Sequence, residues 1–168
     1  MVKSNQKFSA KTRVAQALRY IDPETGAIIP PIQSSATFAR DENYETRKPY
    51  WYKRDGNETT SHAEAMIADL EEADDTLLFS SGMSAATAVI DHLEEKSHVV
   101  VPRAMYHGVL HQFKTYEQKG RLEVSYYEAG DLNELSEVIR DNTALVWAET
   151  PNNPDWAVTD IALAAEIT

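Results

Sequence analysis

The sequence predicts an α/β fold built on a mostly parallel sheet. From residue 76 onward, short apolar runs alternate with helical stripes of about ten residues, in the order β-α-β-α-β-α-β-α. Runs such as VVV at 99–101 and ALVWA at 144–148 are apolar throughout rather than at every second residue, as expected of strands covered on both faces. In such sheets ligands sit at the carboxyl ends of the strands.

The first 60 residues show little periodicity. Thr12 to Tyr20 predicts a short helix, and Pro23 to Gly26 (PETG) is turn chemistry. Pro30 and Pro31 keep IIPPIQSSATF extended. A long irregular segment of this kind is either functional or wrapped on a partner.

Regular pattern begins at residue 61. Ser61 and Glu64 fit a capping box, followed by Ala63, Met66, Ile67 and Leu70 on one helical face. Residues 76–79 (TLLF) predict a strand, residues 84–93 a helix, and HVVV at 98–101 a buried strand closed by Pro102. Val109, Leu110, Phe113 and Tyr116 form the next helical stripe, which stops at Gly120. Residues 122–126 predict a strand. Asp131 and Glu134 form a second capping box, for a helix whose apolar face is Leu132, Leu135, Val138 and Ile139. ALVWA at 144–148 predicts the last strand, and Asp160 caps the last helix. That helix stops at Thr168 after about two turns without a cap, so another strand is expected and the chain reads as the front part of a longer protein.

Composition narrows the function. There are 16 Lys plus Arg against 27 Asp plus Glu, a net charge of −11, which argues against a broad nucleic-acid or anionic-membrane footprint. The 42% hydrophobic and 9% aromatic content is that of a globular chain. With zero cysteines, disulfides, zinc fingers, iron–sulfur clusters and thiol nucleophiles are excluded for this chain. MVKSNQKFSAK has no apolar h-region, and a cytoplasmic setting is expected.

Four constellations carry chemistry. FSSGMSAATAVI (79–90) puts a tight loop at a helix start, where the backbone N–H groups of Gly82 and Met83 form a phosphate cradle or, alternatively, a plain βα turn with a serine cap. RKPYWYKRDGN (47–57) interleaves four cations with Tyr50, Trp51 and Tyr52. It reads as a phosphate-contacting arm using Tyr52 and Arg54, as a single-strand nucleic-acid platform, or as a solvated loop. AETPNNP (148–154) places Glu149 and Asn153 past a strand end, as ligand groups or as a stiff turn. RAMYHGV (103–109) offers Tyr106 as a stacking ring or as a half-buried tyrosine opening a helix. His107 and His111 are four residues apart without an HExxH carboxylate, so no metal site is expected.

In order, GAIIPPIQSSATF, YKRDGN, LLFSSGMSA, the post-strand Tyr106, and ETPNNP with Asp160-Ile161 resemble the Cys/Met metabolism family of pyridoxal-phosphate enzymes. These are relatives of cystathionine γ-synthase, the cystathionine lyases and methionine γ-lyase. The resemblance runs from residue 11 to the end. It implies a fold-type I, aspartate-aminotransferase-like architecture, with residues 1–60 as an N-terminal arm making oligomer and cofactor contacts. Residues 61–168 would be the first part of the large cofactor-binding domain, the remainder and the C-terminal domain lying outside the chain.

The same resemblance assigns roles. Gly82 and Met83 donate backbone N–H groups to the phosphate of pyridoxal 5'-phosphate. Tyr52 and Arg54 reach the phosphate of a neighbouring subunit's cofactor. Tyr106 stacks on the ring and assists proton transfer, as the one catalytic residue expected here. Asn153 lies near the phenolic oxygen, with Glu149 in the same segment. It further implies an amino-acid substrate, γ-replacement or elimination chemistry with a synthase-like activity favoured, and self-association to a dimer or tetramer, without nucleic-acid or membrane partners.

Two departures fall beside the expected site: GNET stands for the family's GNPT, placing Glu58 at the proline, and YHGV stands for YGGT, placing His107 and Val109. None of Lys3, Lys7, Lys11, Lys48, Lys53, Lys96, Lys114 or Lys119 sits in the family's Schiff-base lysine motif. That lysine, the aspartate facing the pyridine nitrogen and the substrate-carboxylate arginine are all expected downstream. A non-catalytic phosphate-binding α/β module and an inactive structural fragment are the readings from other classes.

Overall fold

The computed structural model describes residues 8–168, so Lys3 and Lys7 lie outside the described residues. It forms two compact units, one up to Leu78 and one from Phe79 to Thr168.

In the first unit, helix α1 spans Ala10–Ala15, opened by Ser9, whose Oγ accepts from Thr12 N at 3.3 Å. A 3₁₀ turn follows at Ala17–Arg19, so the helix expected over residues 12–20 is shorter and starts earlier. Asp22 Oδ1 accepts from the N–H groups of Glu24 (3.1 Å) and Thr25 (2.7 Å) and closes the PETG turn. Helix α2, Glu58–Glu71, does not begin at the expected Ser61 box. Asn57, almost fully buried, caps it instead, its Oδ1 accepting from Thr59 N (3.0 Å) and Thr60 N (3.1 Å). Glu64 turns away from the cap and accepts from Leu78 N at 3.0 Å. None of the apolar face expected on α2 is fully buried, and Ile67 is exposed. Arg13 ties α1 to α2, donating to Asp69 O at 2.6 Å and pairing with its carboxylate at 3.0 Å.

The TLLF segment is not a strand. Leu77, Leu78 and Phe79 are 71%, 43% and 43% exposed, and no described residue pairs with their backbone as a ladder. A strand exists only with a neighbour, and the propensity of these side chains alone supplies none.

The second unit is a three-layer α/β body. Its elements are α3 (Gly82–His92), β1 (Ser97–Pro102), α4 (His107–Gln118), β2 (Leu122–Tyr127), α5 (Leu132–Val138), β3 (Thr143–Val146) and α6 (Ile161–Ile167). All strand pairs are parallel and the order is β2-β1-β3. On one face of β1, Val99 and Val101 pack with Ala86 and Ile90 of α3 and with Val109 and Phe113 of α4. On the other, Val100 packs with Leu135 of α5 and Ala164 of α6. Helices on both faces make β1 apolar from Val99 to Pro102, and of its two polar residues, Ser97 and His98, only the second is buried. His98 is fully buried and bonds Thr143 Oγ1 at 2.7 Å and Ser125 Oγ at 2.9 Å.

The expected Asp131–Glu134 box is half formed. Asp131 Oδ1 accepts from Asn133 N and Glu134 N at 3.0 Å. Glu134 instead pairs with Arg103 and accepts from Glu128 N at 2.6 Å, which fixes the ends of β1 and β2 to the start of α5.

Candidate functional site

Helix α3 starts two residues earlier than the sequence predicted, and this shapes the site. Ser81, in extended conformation, caps it through Oγ, which accepts from Ser84 N at 3.1 Å. Gly82 and Met83 become the first two helical residues. Among the described residues their N–H groups have no acceptor, as the geometry of a helix start requires. Among the described residues, a Cβ built on Gly82 would meet nothing within 4 Å. An anion therefore has two free donors, the positive end of an 11-residue helix, and an unobstructed approach.

These donors open into a cavity of about 620 Å³ whose lining includes Ser81, Gly82, Met83, Tyr106, Trp147 and Glu149. Chain order brings them together. Strand order reverses about β1, since β2 lies on one side of it and β3 on the other. The loops leaving the carboxyl ends of β1 and β3 thus flank a crevice, the common ligand position in open α/β sheets. The first loop carries Tyr106, 39% exposed, and the second carries Glu149 and Asn153. The rest of the lining is apolar, with Val89 and Val109 beside Trp147, whose ring meets Phe113 edge-on at 5.7 Å between centroids.

Tyr106 is held by its surroundings. Its ring lies 4.9 Å from that of His107, the residue standing where the family motif has glycine. Its backbone N–H donates to Glu149 Oε2 at 2.9 Å. The other oxygen, Oε1, accepts from Asn153 N at 3.2 Å.

Four of the expected residues, Gly82, Met83, Tyr106 and Glu149, thus line one cavity. Asn153 reaches this group through its backbone, and its exposed side chain is not in the lining. Its neighbour Asn152 is the buried one, with Nδ2 on Asp155 Oδ1 at 2.7 Å and Oδ1 buried without a partner. Tyr52 and Arg54 belong to the first unit. There the Arg54 guanidinium lies 4.5 Å over the Tyr52 ring, and Tyr52 forms an antiparallel bridge with Thr37. Sequence reasoning did not single out Gly108 or Trp147. The signal for Trp147 was its place at the end of an apolar strand that runs into the ETPNNP loop.

The arrangement fits a flat, phosphorylated ring. The open helix start suits a phosphate, the tyrosine offers a platform, and the apolar wall excludes water on one side. Fold and site together define an α/β domain of the kind that holds such a cofactor at its switch point. The chain belongs to the family described as Cys/Met metabolism PLP-dependent enzyme, whose model matches residues 11–168. Over 165 residues it is 33% identical to a cystathionine beta-lyase of Coxiella burnetii, covering 98% of this chain and 42% of that protein. It is 34% identical over 157 residues to a cystathionine gamma-synthase of Mycobacterium bovis, covering 93% of this chain and 40% of that protein. Among solved structures, the cystathionine gamma synthase of Xanthomonas oryzae pv. oryzae in complex with cystathionine matches with a TM-score of 0.86 and 29% identity, over 96% of this chain and 42% of that one. The chain thus spans about two fifths of the length of these relatives.

Proposed function

We propose that this chain supplies the phosphate grip and the ring platform of a pyridoxal-phosphate enzyme acting on sulfur-containing or O-acylated amino acids. The observation that carries the reading is the uncovered start of α3, where Gly82 and Met83 point free N–H groups into the cavity that also holds Tyr106. The cofactor, when bound, supplies an electron sink for the substrate's α-carbon. The protein's part is to bind and orient. Gly82 and Met83 hold the phosphate by two backbone donors and the helix dipole. Tyr106, whose ring faces the cavity, would give the cofactor ring its platform, and its hydroxyl would hold or return a proton there. Trp147 and Val89 keep water from that wall.

Among the described residues no lysine or arginine lines the cavity, so the dianion needs a cation from elsewhere. Arg54, planar and always charged, with Tyr52 as a neutral donor, provides it from a neighbouring copy. The active species is then at least a dimer, with a homotetramer as the expected form. Synthase-type transfer is favoured over lyase chemistry; the relatives include proteins of both names.

Titration of the full chain with pyridoxal 5'-phosphate tests this. Binding is expected to strengthen with protein concentration, to be competed by inorganic phosphate, and to weaken in Arg54→Ala. Borohydride treatment of the loaded chain is expected to label no single lysine and to leave amino acids unconverted. Binding independent of phosphate, or stoichiometric labelling of one lysine, would overturn the reading.

A further inference from the structure

We infer that Glu149 is a positioning residue that couples the Tyr106 loop to the Asn153 loop, and not a ligand of the cofactor. The inference deepens the proposed function and rests on it for the meaning of the two loops. Strands β1 and β3 exchange their last ladder bond at Trp147 N to Val100 O, 2.8 Å. Beyond that point the backbones diverge, one into residues 103–108 and the other into 148–154. Among the described residues, no hydrogen bond joins these segments except that from Tyr106 N to Glu149.

Glu149 uses both carboxylate oxygens on backbone donors: Oε2 takes Tyr106 N–H at 2.9 Å and Oε1 takes Asn153 N–H at 3.2 Å. Charge-assisted bonds of this kind are about twice as strong as neutral ones. Helix α4 has no side-chain cap of its own and no acidic residue in its first turn. The carboxylate brought in from β3 therefore meets the positive end of that helix as well. Each oxygen accepts one backbone amide, so the protein itself fixes how the carboxylate is turned where it lines the cavity. This side chain thus holds the N–H of the residue whose ring faces the cavity.

Glutamine cannot replace it. A carboxamide offers one acceptor oxygen and one NH₂, so one of the two backbone N–H groups would face a donor.

The experiment follows amide hydrogen exchange by NMR on the full chain without cofactor, for the wild type, Glu149→Ala and Glu149→Gln. In Glu149→Ala the Tyr106 and Asn153 amides should both exchange at least about tenfold faster, with Val99, Val100 and Val101 unchanged. In Glu149→Gln at least one of the two should accelerate, again with β1 protected. If only one amide responds to alanine, or neither, the coupling is refuted. If β1 loses protection equally in both variants, Glu149 is an element of the fold and the proposal fails.

A second readout uses pyridoxal 5'-phosphate as the probe. In Glu149→Gln the induced circular dichroism per bound cofactor should change about twofold or more while affinity moves less than about threefold, because the phosphate donors are untouched. A large affinity loss with unchanged dichroism would make Glu149 a contact and overturn the proposal. If the wild-type chain takes up no cofactor, the proposed function falls, and the amide result still decides the coupling.

Discussion

A methyl group placed on Gly108 would lie 2.8 Å from Cε1 of the Tyr106 ring and 3.0 Å from the sulfur of Met83. Nonbonded carbons do not approach so closely, so the tyrosine occupies space that only a residue without a side chain leaves free. The ring that faces the cavity and the second residue of α3 are thus both packed over one backbone position.

Gly108→Ala should displace the Tyr106 ring while sparing the fold, since the obstructing atom is a ring edge that can swing away. Aromatic pairing is worth about 0.5–1.5 kcal/mol, so cofactor affinity should fall about two- to twelvefold. Isothermal titration with pyridoxal 5'-phosphate and an unchanged urea midpoint would together bear this out.

Gly82→Val should separate binding from stability even more cleanly. Among the described residues nothing lies within 4 Å of a Cβ built there, so the fold has room for the first atom of the added side chain. Affinity for pyridoxal 5'-phosphate should drop at least about tenfold, as expected when a branched side chain blocks a backbone anion site. The thermal midpoint should stay within a few degrees of the wild type.

Arg121→Ala should destabilise the second unit by about 2 kcal/mol through lost charge-assisted bonds. Arg121 donates to Ile90 O (3.4 Å), Asp91 O (3.1 Å) and Leu93 O (3.3 Å), closing the far end of α3, and it lies 4.7 Å over the Tyr116 ring. Arg121→Lys keeps the charge but loses the planar fork, and should recover less than half of the loss in urea denaturation.

Stability should decline in mild acid because of His98. Burial pushes this imidazole below its usual 6.5, Arg140 adds to the effect, and Glu123 opposes it. The unfolded chain then binds a proton that the folded one refuses, so stability rises with pH across the window just below 6.5 and is lost as pH falls through it. His98→Gln should lower the midpoint near neutrality and flatten its change between about pH 7.5 and about pH 5.5. An unchanged slope in the variant would remove His98 as the cause.

The helices and strands after residue 82 were legible because their signals are local: continuous apolar runs, helical stripes, and Asp131 and Asp160 as caps. TLLF misled because an apolar run states a preference, whereas a strand requires a neighbour. At the start of α2 both Asn57 and Ser61 are cap residues, and Asn57 prevails because its oxygen reaches two N–H groups at once. Within the candidate site, Gly82, Met83 and Tyr106 were legible as residues at strand ends and helix starts. The contacts that fix them were not. Gly108 matters through a ring that folds back over it, and Glu149 through an amide 43 residues away in sequence.

The strand order has a consequence for how the second unit assembles. Its first strand in sequence, β1, is also its middle one, and among the described residues β2 and β3 each pair with β1 alone. Every later strand adds to an edge already present, so none has to be threaded between two others, and each addition closes a loop spanning no more than two helices. Growth outward from β1 keeps the early contacts short in sequence, which favours rapid folding. It also makes Val99, Val100 and Val101 the natural nucleus, where substitutions should slow folding more than they speed unfolding.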